Sequence, residues 1–274
     1  MTAERHGTPG SLRYGARLMR FRDLWDKLLH IGACTVLLWA RPGPARPDAS
    51  GPALYLAGVL FLLIGGYAVN DAADFHNDRL ASADPGGQGP RRGHSLAASI
   101  AALSLGTILI MTAGGVPART IAVGTILLGV EYSLPPLRFK ERGIWGIIVG
   151  AFAQRPGLFL VWAAALGVWD SLTAVLTAWL FFIGMTGMLG HQVLDRGRDR
   201  AGGVRTFVFR KGPRPALRLG AACAIAAGVA TVSPLVLMPV ARAWPIAMAL
   251  AALSGVSIWK GLKALRKIGP LDPA

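Results

Sequence analysis

Carboxylates collect in two short stretches of this 274-residue sequence. The first runs from Asn70 through Asp71 and Asp74 to Asp78, and the second from His191 through Asp195 to Asp199. Asn70, Asp74 and Asp78 fall at i, i+4 and i+8, and Asp195 and Asp199 repeat the i, i+4 step. On a helix each set therefore lines one face. Oxygen donors stacked in this way destabilise one another unless a cation neutralises them. Hard ligands at this spacing suit Mg²⁺, which takes one or two carboxylates together with phosphate oxygens of a substrate. Either motif alone reads equally well as a solvated helix end that happens to be acidic. Two of them holding five of the fourteen acidic residues are harder to dismiss. Asp74, Asp78, Asp195 and Asp199 are the candidate metal ligands, with Asn70, Asp71 and His191 as candidate substrate contacts.

Between the motifs lies Glu131-Tyr132-Ser133-Leu134-Pro135-Pro136-Leu137-Arg138-Phe139-Lys140-Glu141-Arg142. The proline pair ends any helix arriving from the N-terminal side. Arg138 and Lys140 follow within reach of the carboxylates, and cations beside a carboxylate–metal site are what a diphosphate requires. They are the candidate catalytic pair, with Tyr132, Arg91 and Arg92 as further substrate contacts. A plain cationic loop is the alternative reading. One more charge stands apart: Arg155, in Ala153-Gln154-Arg155-Pro156, is deep within an apolar run. An arginine at membrane depth costs about 2.5–3.5 kcal/mol on insertion scales, so it must face the interior and find a partner. Glu131 is the nearest candidate in depth, and Pro156 frees a carbonyl near Phe152. Arg155 is then either half of a buried structural pair or, with Gln154, a contact that orients an acceptor.

The elements carrying these residues are transmembrane. The chain is 53% hydrophobic and only 16% charged, against about 25% charge in soluble domains, and its mean hydropathy is +0.47. Apolar runs of about 20 residues, enough to cross a ~30 Å hydrocarbon core, cover residues 24–40, 53–70, 95–113, 117–134, 144–166, 171–190, 215–238 and 243–262. With 35 glycines, small residues allow close helix packing. The expectation is an all-α bundle of eight spans. Residues 1–23 form a cytoplasmic N-terminal segment, part of which (11–23) could lie on the headgroups as a basic helix, and cleavage as a signal peptide is disfavoured. With that N-terminus inside, 24 of the 29 basic residues fall in inside segments and 4 outside, as the positive-inside rule demands. This accounts for the net charge of +15 without a nucleic-acid partner. Cys34 and Cys223 lie in apolar runs and build neither a disulfide framework nor a zinc site. Spans two and six run in the same direction, so both acidic motifs emerge on the cytoplasmic face.

Taken together, the three stretches resemble the UbiA superfamily of intramembrane prenyltransferases. Asn70, Asp71, Asp74 and Asp78 meet its first acidic motif. Asp195, Asp199, Gly202 and Thr206 look like its second, and Tyr132 to Lys140 matches its tyrosine–proline–basic loop. The resemblance implies one domain over residues 1–274, with a central cavity open to lipid. It further implies two Mg²⁺ ions binding an isoprenyl diphosphate, and an allylic carbocation captured by an acceptor, commonly aromatic. Two departures accompany it. Nine spans are typical where eight are found, and the usual Arg-Pro-Leu stretch is replaced here by Gly87–His94. An intramembrane terpene cyclase using the same metal site is the nearest alternative. A cation transporter is the alternative from another class, although no acidic ladder crosses the bilayer.

Overall fold

The computed structural model describes residues 21–40, 50–81, 92–112, 114–237 and 239–265. Every regular element among them is helical. In order they are α1 (Phe21–Trp39), α2 (Ser50–Ala81), α3 (Arg92–Thr112), α4 (Val116–Ser133), a 3-10 turn (Phe139–Glu141), α5 (Ile144–Gln154), α6 (Pro156–Ala165), α7 (Ser171–Gly202), α8 (Phe207–Lys211), α9 (Pro213–Val232), α10 (Pro234–Leu237) and α11 (Val240–Leu265). All eight expected apolar segments are helical, and five helical stretches among the described residues are long and apolar enough to cross a membrane. The expected headgroup segment, residues 11–23, lies mostly outside the described residues.

The fifth segment is two helices, because Pro156 has no N–H to continue the ladder and takes the first position of α6 instead. Arg155 is the hinge between them, with φ −140° and ψ −76°. The Phe152 carbonyl accepts from Arg155 N at 3.4 Å, and the Arg155 carbonyl accepts from Phe159 N at 3.0 Å.

Helices α2 and α3 pack at backbone distance. A Cβ on Gly65 would lie 2.7 Å from Leu103 Cγ, and one on Gly106 would lie 2.9 Å from the Gly58 carbonyl oxygen. These positions allow only glycine, as expected where close packing rather than apolar transfer drives helix association. The interior is filled by Tyr55, Phe159, Trp162, Leu176 and Trp179. Tyr55 keeps its hydroxyl satisfied by donating to the Leu158 carbonyl at 2.6 Å while its ring lies 4.9 Å from that of Trp162. Exposed tryptophans mark both ends of the bundle, Trp25 and Trp145 at the end carrying the acidic motifs, Trp169 and Trp244 at the other.

Helices α2 and α7 are each 32 residues long, or about 48 Å at 1.5 Å per residue. Their last turns carry the two acidic motifs. Helix α7 starts on Asp170, whose carboxylate accepts from Thr173 N at 3.0 Å, and stops at Gly203 in the left-handed region, φ 70°.

Candidate functional site

The loop between α4 and α5 delivers two cations onto α2. Lys140, buried in the 3-10 turn, donates from Nζ to Asp74 Oδ1 and reaches Asn70 Oδ1 at 3.3 Å. Arg138 Nη2 donates to the same Asp74 oxygen at 3.2 Å, and its Nε donates to Glu141 Oε1 at 2.6 Å. Ser133, the last residue of α4, donates to Asn70 Oδ1 at 3.0 Å. Asn70 and Asp74 are thus both clasped from the loop, as their one-turn spacing on α2 requires.

The loop is shaped to do this. Glu131 Oε2 accepts from Leu137 N at 3.3 Å, and Arg142 donates to the carbonyls of Leu137 and Pro136. Arg138 itself is left-handed, with φ 41° and ψ 56°. That conformation costs a non-glycine residue about 1–2 kcal/mol, and the surrounding bonds hold it in place: Arg138 N to the Leu134 carbonyl at 2.9 Å and Glu141 N to the Arg138 carbonyl at 3.0 Å. From α8, Arg210 Nη2 donates to the Glu141 carbonyl at 2.8 Å and ties the loop to the segment that follows the second acidic motif.

That motif is organised by Thr206. Its hydroxyl donates to Asp199 Oδ2 at 3.0 Å and accepts from Phe209 N at 3.3 Å, capping α8. Gln192 accepts from Val208 N at 3.3 Å and seats α8 against α7. Asp199 senses both Asp195 and Asp74: burial first, then those two carboxylates, push its pKa up to about 6, against the opposing Thr206 bond and Lys140 charge. Burial pulls the Lys140 pKa down, and Asp74 opposes that. The two motifs, separate in sequence, therefore form one electrostatic unit at one end of the bundle.

The donor set suits a hard divalent cation. Asp74, Asp195 and Asp199 offer only oxygen, and their mutual repulsion is what such an ion relieves. Among the described residues no three acidic, histidine or cysteine side chains already converge into a ligand set; Asp74 is instead engaged by Lys140 and Arg138. Asp78 continues the α2 backbone, and its side chain lies outside the described residues. So does that of Arg92 at the start of α3, and Arg91 falls outside them entirely. Asp71 and His191 each have interactions of their own. Tyr132 lies against α5, where a Cβ on Gly150 would meet its ring at 2.8 Å.

Arg155 is buried as expected, but its partner is not Glu131, which closes the α4–α5 loop. Arg155 Nη2 donates to Asp26 Oδ2 of α1 at 2.8 Å. Helix α1 brings Asp26, in its second turn, to the hinge between α5 and α6. In sequence Asp26 stands with Asp23 and Lys27 at the start of the first apolar run, a pattern that any charged span entrance shares. Next to it Lys27, also buried, donates to the Tyr67 hydroxyl on α2. Tyr67 precedes Asn70 by three residues and Asp74 by seven, the spacing that could have flagged it. Gln154 makes a weak contact with Met188 Sδ at 3.8 Å. An apolar cavity of about 590 Å³ opens between α5–α6 and α7, at the end of the bundle remote from the acidic motifs.

Comparison with known proteins adds the following. The model of the UbiA prenyltransferase family matches residues 29–274. A lycopene elongase/hydratase of Haloarcula japonica is 33% identical over 208 residues, 71% of this chain and 66% of that protein. A 2-acylphloroglucinol 4-prenyltransferase of Humulus lupulus is 30% identical over 142 residues, covering 49% of this chain and 34% of that one. A digeranylgeranylglyceryl phosphate synthase of Ignicoccus hospitalis is 29% identical over 239 residues, 82% and 74% of the two chains. The chain thus spans less than two thirds of the first two relatives' length. Among solved structures, a UbiA homolog from Archaeoglobus fulgidus bound to DMAPP and Mg²⁺ superposes with a TM-score of 0.70 at 18% identity, over 89% of this chain and 86% of that one. At that identity the likeness speaks for the fold.

Proposed function

The chain belongs to the UbiA prenyltransferase family, and from that premise we propose that it transfers an isoprenyl group from an isoprenyl diphosphate to a lipophilic acceptor, taken as aromatic. On this reading it is an integral membrane enzyme, in keeping with its five helical stretches long and apolar enough to cross a membrane among the described residues. The observation that carries the reading is the convergence of Lys140 and Arg138 on Asp74, beside the Asp199–Thr206 pair of the second motif.

Asp74, Asp195 and Asp199, with Asp78, would hold Mg²⁺, which supplies Lewis-acid neutralisation of the diphosphate. Arg138 and Lys140 then turn from Asp74 to the diphosphate oxygens. There they stabilise the negative charge that grows as the allylic C–O bond breaks and the diphosphate departs with the electron pair. Glu141 keeps the guanidinium in place during that exchange. Asn70 and Asp71 contact the same head group, and Arg91 or Arg92 extends the cationic side. The apolar walls below exclude water from the allylic cation until a carbon of the acceptor adds to it and releases a proton. The positive-inside count supports placing this face in the cytoplasm.

The test is purified full chain in lipid nanodiscs with Mg²⁺ and dimethylallyl, geranyl, farnesyl or geranylgeranyl diphosphate, followed by assay of diphosphate release and new lipid products. Metal-dependent release lost in both Asp74→Ala and Asp195→Ala supports the reading. Release that survives in both variants overturns the metal-site assignment, and no release from the wild-type protein with any donor overturns the function.

A further inference from the structure

Below the acidic site the bundle carries a second polar layer that the diphosphate chemistry does not use. Arg155 lies between α1 and α7: its Nη2 meets Asp26, and it is the nearest atom to a Cβ built on Gly187, 3.9 Å away. Asp26 is followed by Lys27, which bonds Tyr67, and His30 Nδ1 lies 2.5 Å from the Asp26 carbonyl oxygen. Two independent counts along helices place this layer. Tyr67 precedes Asp74 by seven residues on α2, and Gly187 precedes Asp195 by eight on α7, which at 1.5 Å per residue is about 10 and 12 Å. The layer is therefore one small molecule's length beneath the carboxylates.

Two features distinguish it from a purely structural ion pair. Arginine–carboxylate pairs are frequently bidentate; among the described contacts Arg155 meets Asp26 through one Nη2–Oδ2 bond. The Nε–H of Arg155, on a residue 5% exposed, is fully buried with no hydrogen-bond partner among the described residues. Buried donors are generally paired in native structures, and of the six buried side-chain polar atoms left without a partner among the described residues this is the one guanidinium. Gln154, the preceding residue, engages only a thioether at 3.8 Å among its described contacts, which leaves a second weakly committed amide on the same hinge.

Resting on the prenyltransferase reading above, we propose that Arg155 Nε is the docking point for an oxygen atom of the acceptor, a carbonyl or phenolic oxygen, with Gln154 beside it. The site then selects oxygenated acceptors over hydrocarbon polyenes, because a hydrocarbon leaves the donor unpaired. A site built to hydrogen-bond a substrate oxygen discriminates strongly against the analogue lacking it.

The discriminating variant is Arg155→Lys, which keeps a cation opposite Asp26 but removes the Nε donor. Full-length protein in nanodiscs is loaded with Mg²⁺ and dimethylallyl thiodiphosphate, and binding of an acylphloroglucinol and of lycopene is measured alongside thiodiphosphate Kd and Tm. The wild type is expected to bind the acylphloroglucinol and not lycopene. Arg155→Lys is expected to weaken acylphloroglucinol binding at least tenfold, with thiodiphosphate Kd and Tm unchanged. Unchanged acylphloroglucinol binding in the variant, preference for lycopene, or binding of neither acceptor overturns the proposal. Failure of the wild type to bind thiodiphosphate with Mg²⁺ instead overturns the reading beneath it. If Arg155→Lys does not fold, the charge-neutral double variant Asp26→Asn, Arg155→Met is read by the same criteria.

Discussion

Gly146 touches no substrate in the proposed reaction, yet a methyl group there should disable it. A Cβ on Gly146 would lie 2.6 Å from the Phe139 carbonyl oxygen and 3.0 Å from Lys140 Cα. Ordinary carbon–oxygen contacts are about 3.3–3.6 Å, so the 3-10 turn would have to retreat by roughly 0.7–1 Å. Both obstructing atoms are backbone, so no rotamer change relieves the clash. The turn is also pinned from the far side by Arg210 on the Glu141 carbonyl. Overpacking of this kind costs about 1–3 kcal/mol. The motion that relieves it carries Lys140, and Arg138 with it, away from Asp74. A misplacement near 1 Å can cost about a hundredfold in rate, so Gly146→Ala should lower kcat/KM for Mg²⁺-dependent diphosphate release about 10–100-fold. Release from farnesyl diphosphate in nanodiscs measures it, with Tm as the companion readout. Gly124→Ala is the control, at an exposed α4 position with nothing within 4 Å of the new methyl. Turnover by Gly146→Ala within about twofold of wild type, when Gly124→Ala is also active, would refute the claim that the turn positions the cations.

Two further outcomes follow from the same contacts. Arg138→Ala should weaken binding of a non-reactive diphosphate analogue by about 1.5–3 kcal/mol, the range for a charge-assisted hydrogen bond. Arg138→Gly should lose the same affinity while keeping or raising Tm, because glycine relieves the left-handed backbone; equal affinity in either variant would reduce Arg138 to a topological charge. The second outcome concerns Asp199, whose pKa is raised to about 6 from the usual 3.8. Between those values the folded protein holds a proton that the unfolded chain lacks, so metal-free stability gains as pH falls from 6 toward 4 and is penalised above 6. Asp199→Asn should therefore raise the metal-free Tm at pH 7.5 and flatten its profile between pH 6 and 4; an unaltered profile counts against the crowding of carboxylates.

What the sequence disclosed was whatever depends on local spacing. Helical periodicity put Asn70 and Asp74 on one face, and apolar length located the eight apolar segments, all helical, but neither α8 nor the break between α5 and α6. The proline pair marked the end of α4, so that Arg138 and Lys140 could be placed in a loop facing the carboxylates. Contacts between remote segments were not legible. Nothing in Phe21–Lys27 indicates that its acidic residue turns inward to Arg155, because a charged span entrance and a buried ion pair have the same local pattern. Glu131 looked the better partner by depth alone, but depth does not fix which way a side chain faces around a helix axis. Nor could spacing show that Arg138 adopts a left-handed backbone, since that conformation is held by backbone bonds to Leu134 and Glu141 together with side-chain bonds to Asp74 and Glu141.

The length of α2 and α7 has a kinetic consequence. At about 48 Å each they exceed a ~30 Å hydrocarbon core by roughly 18 Å, an excess that would bring the carboxylates of their last turns toward the headgroup plane. An amphiphilic donor anchored in the leaflet by its isoprenyl chain holds its diphosphate at this same level. In the proposed reaction enzyme and donor would then meet by lateral diffusion in two dimensions, without extraction of the donor into water. Velocity should follow the mole fraction of donor in the bilayer, so that adding inert lipid at fixed total donor slows the reaction by surface dilution.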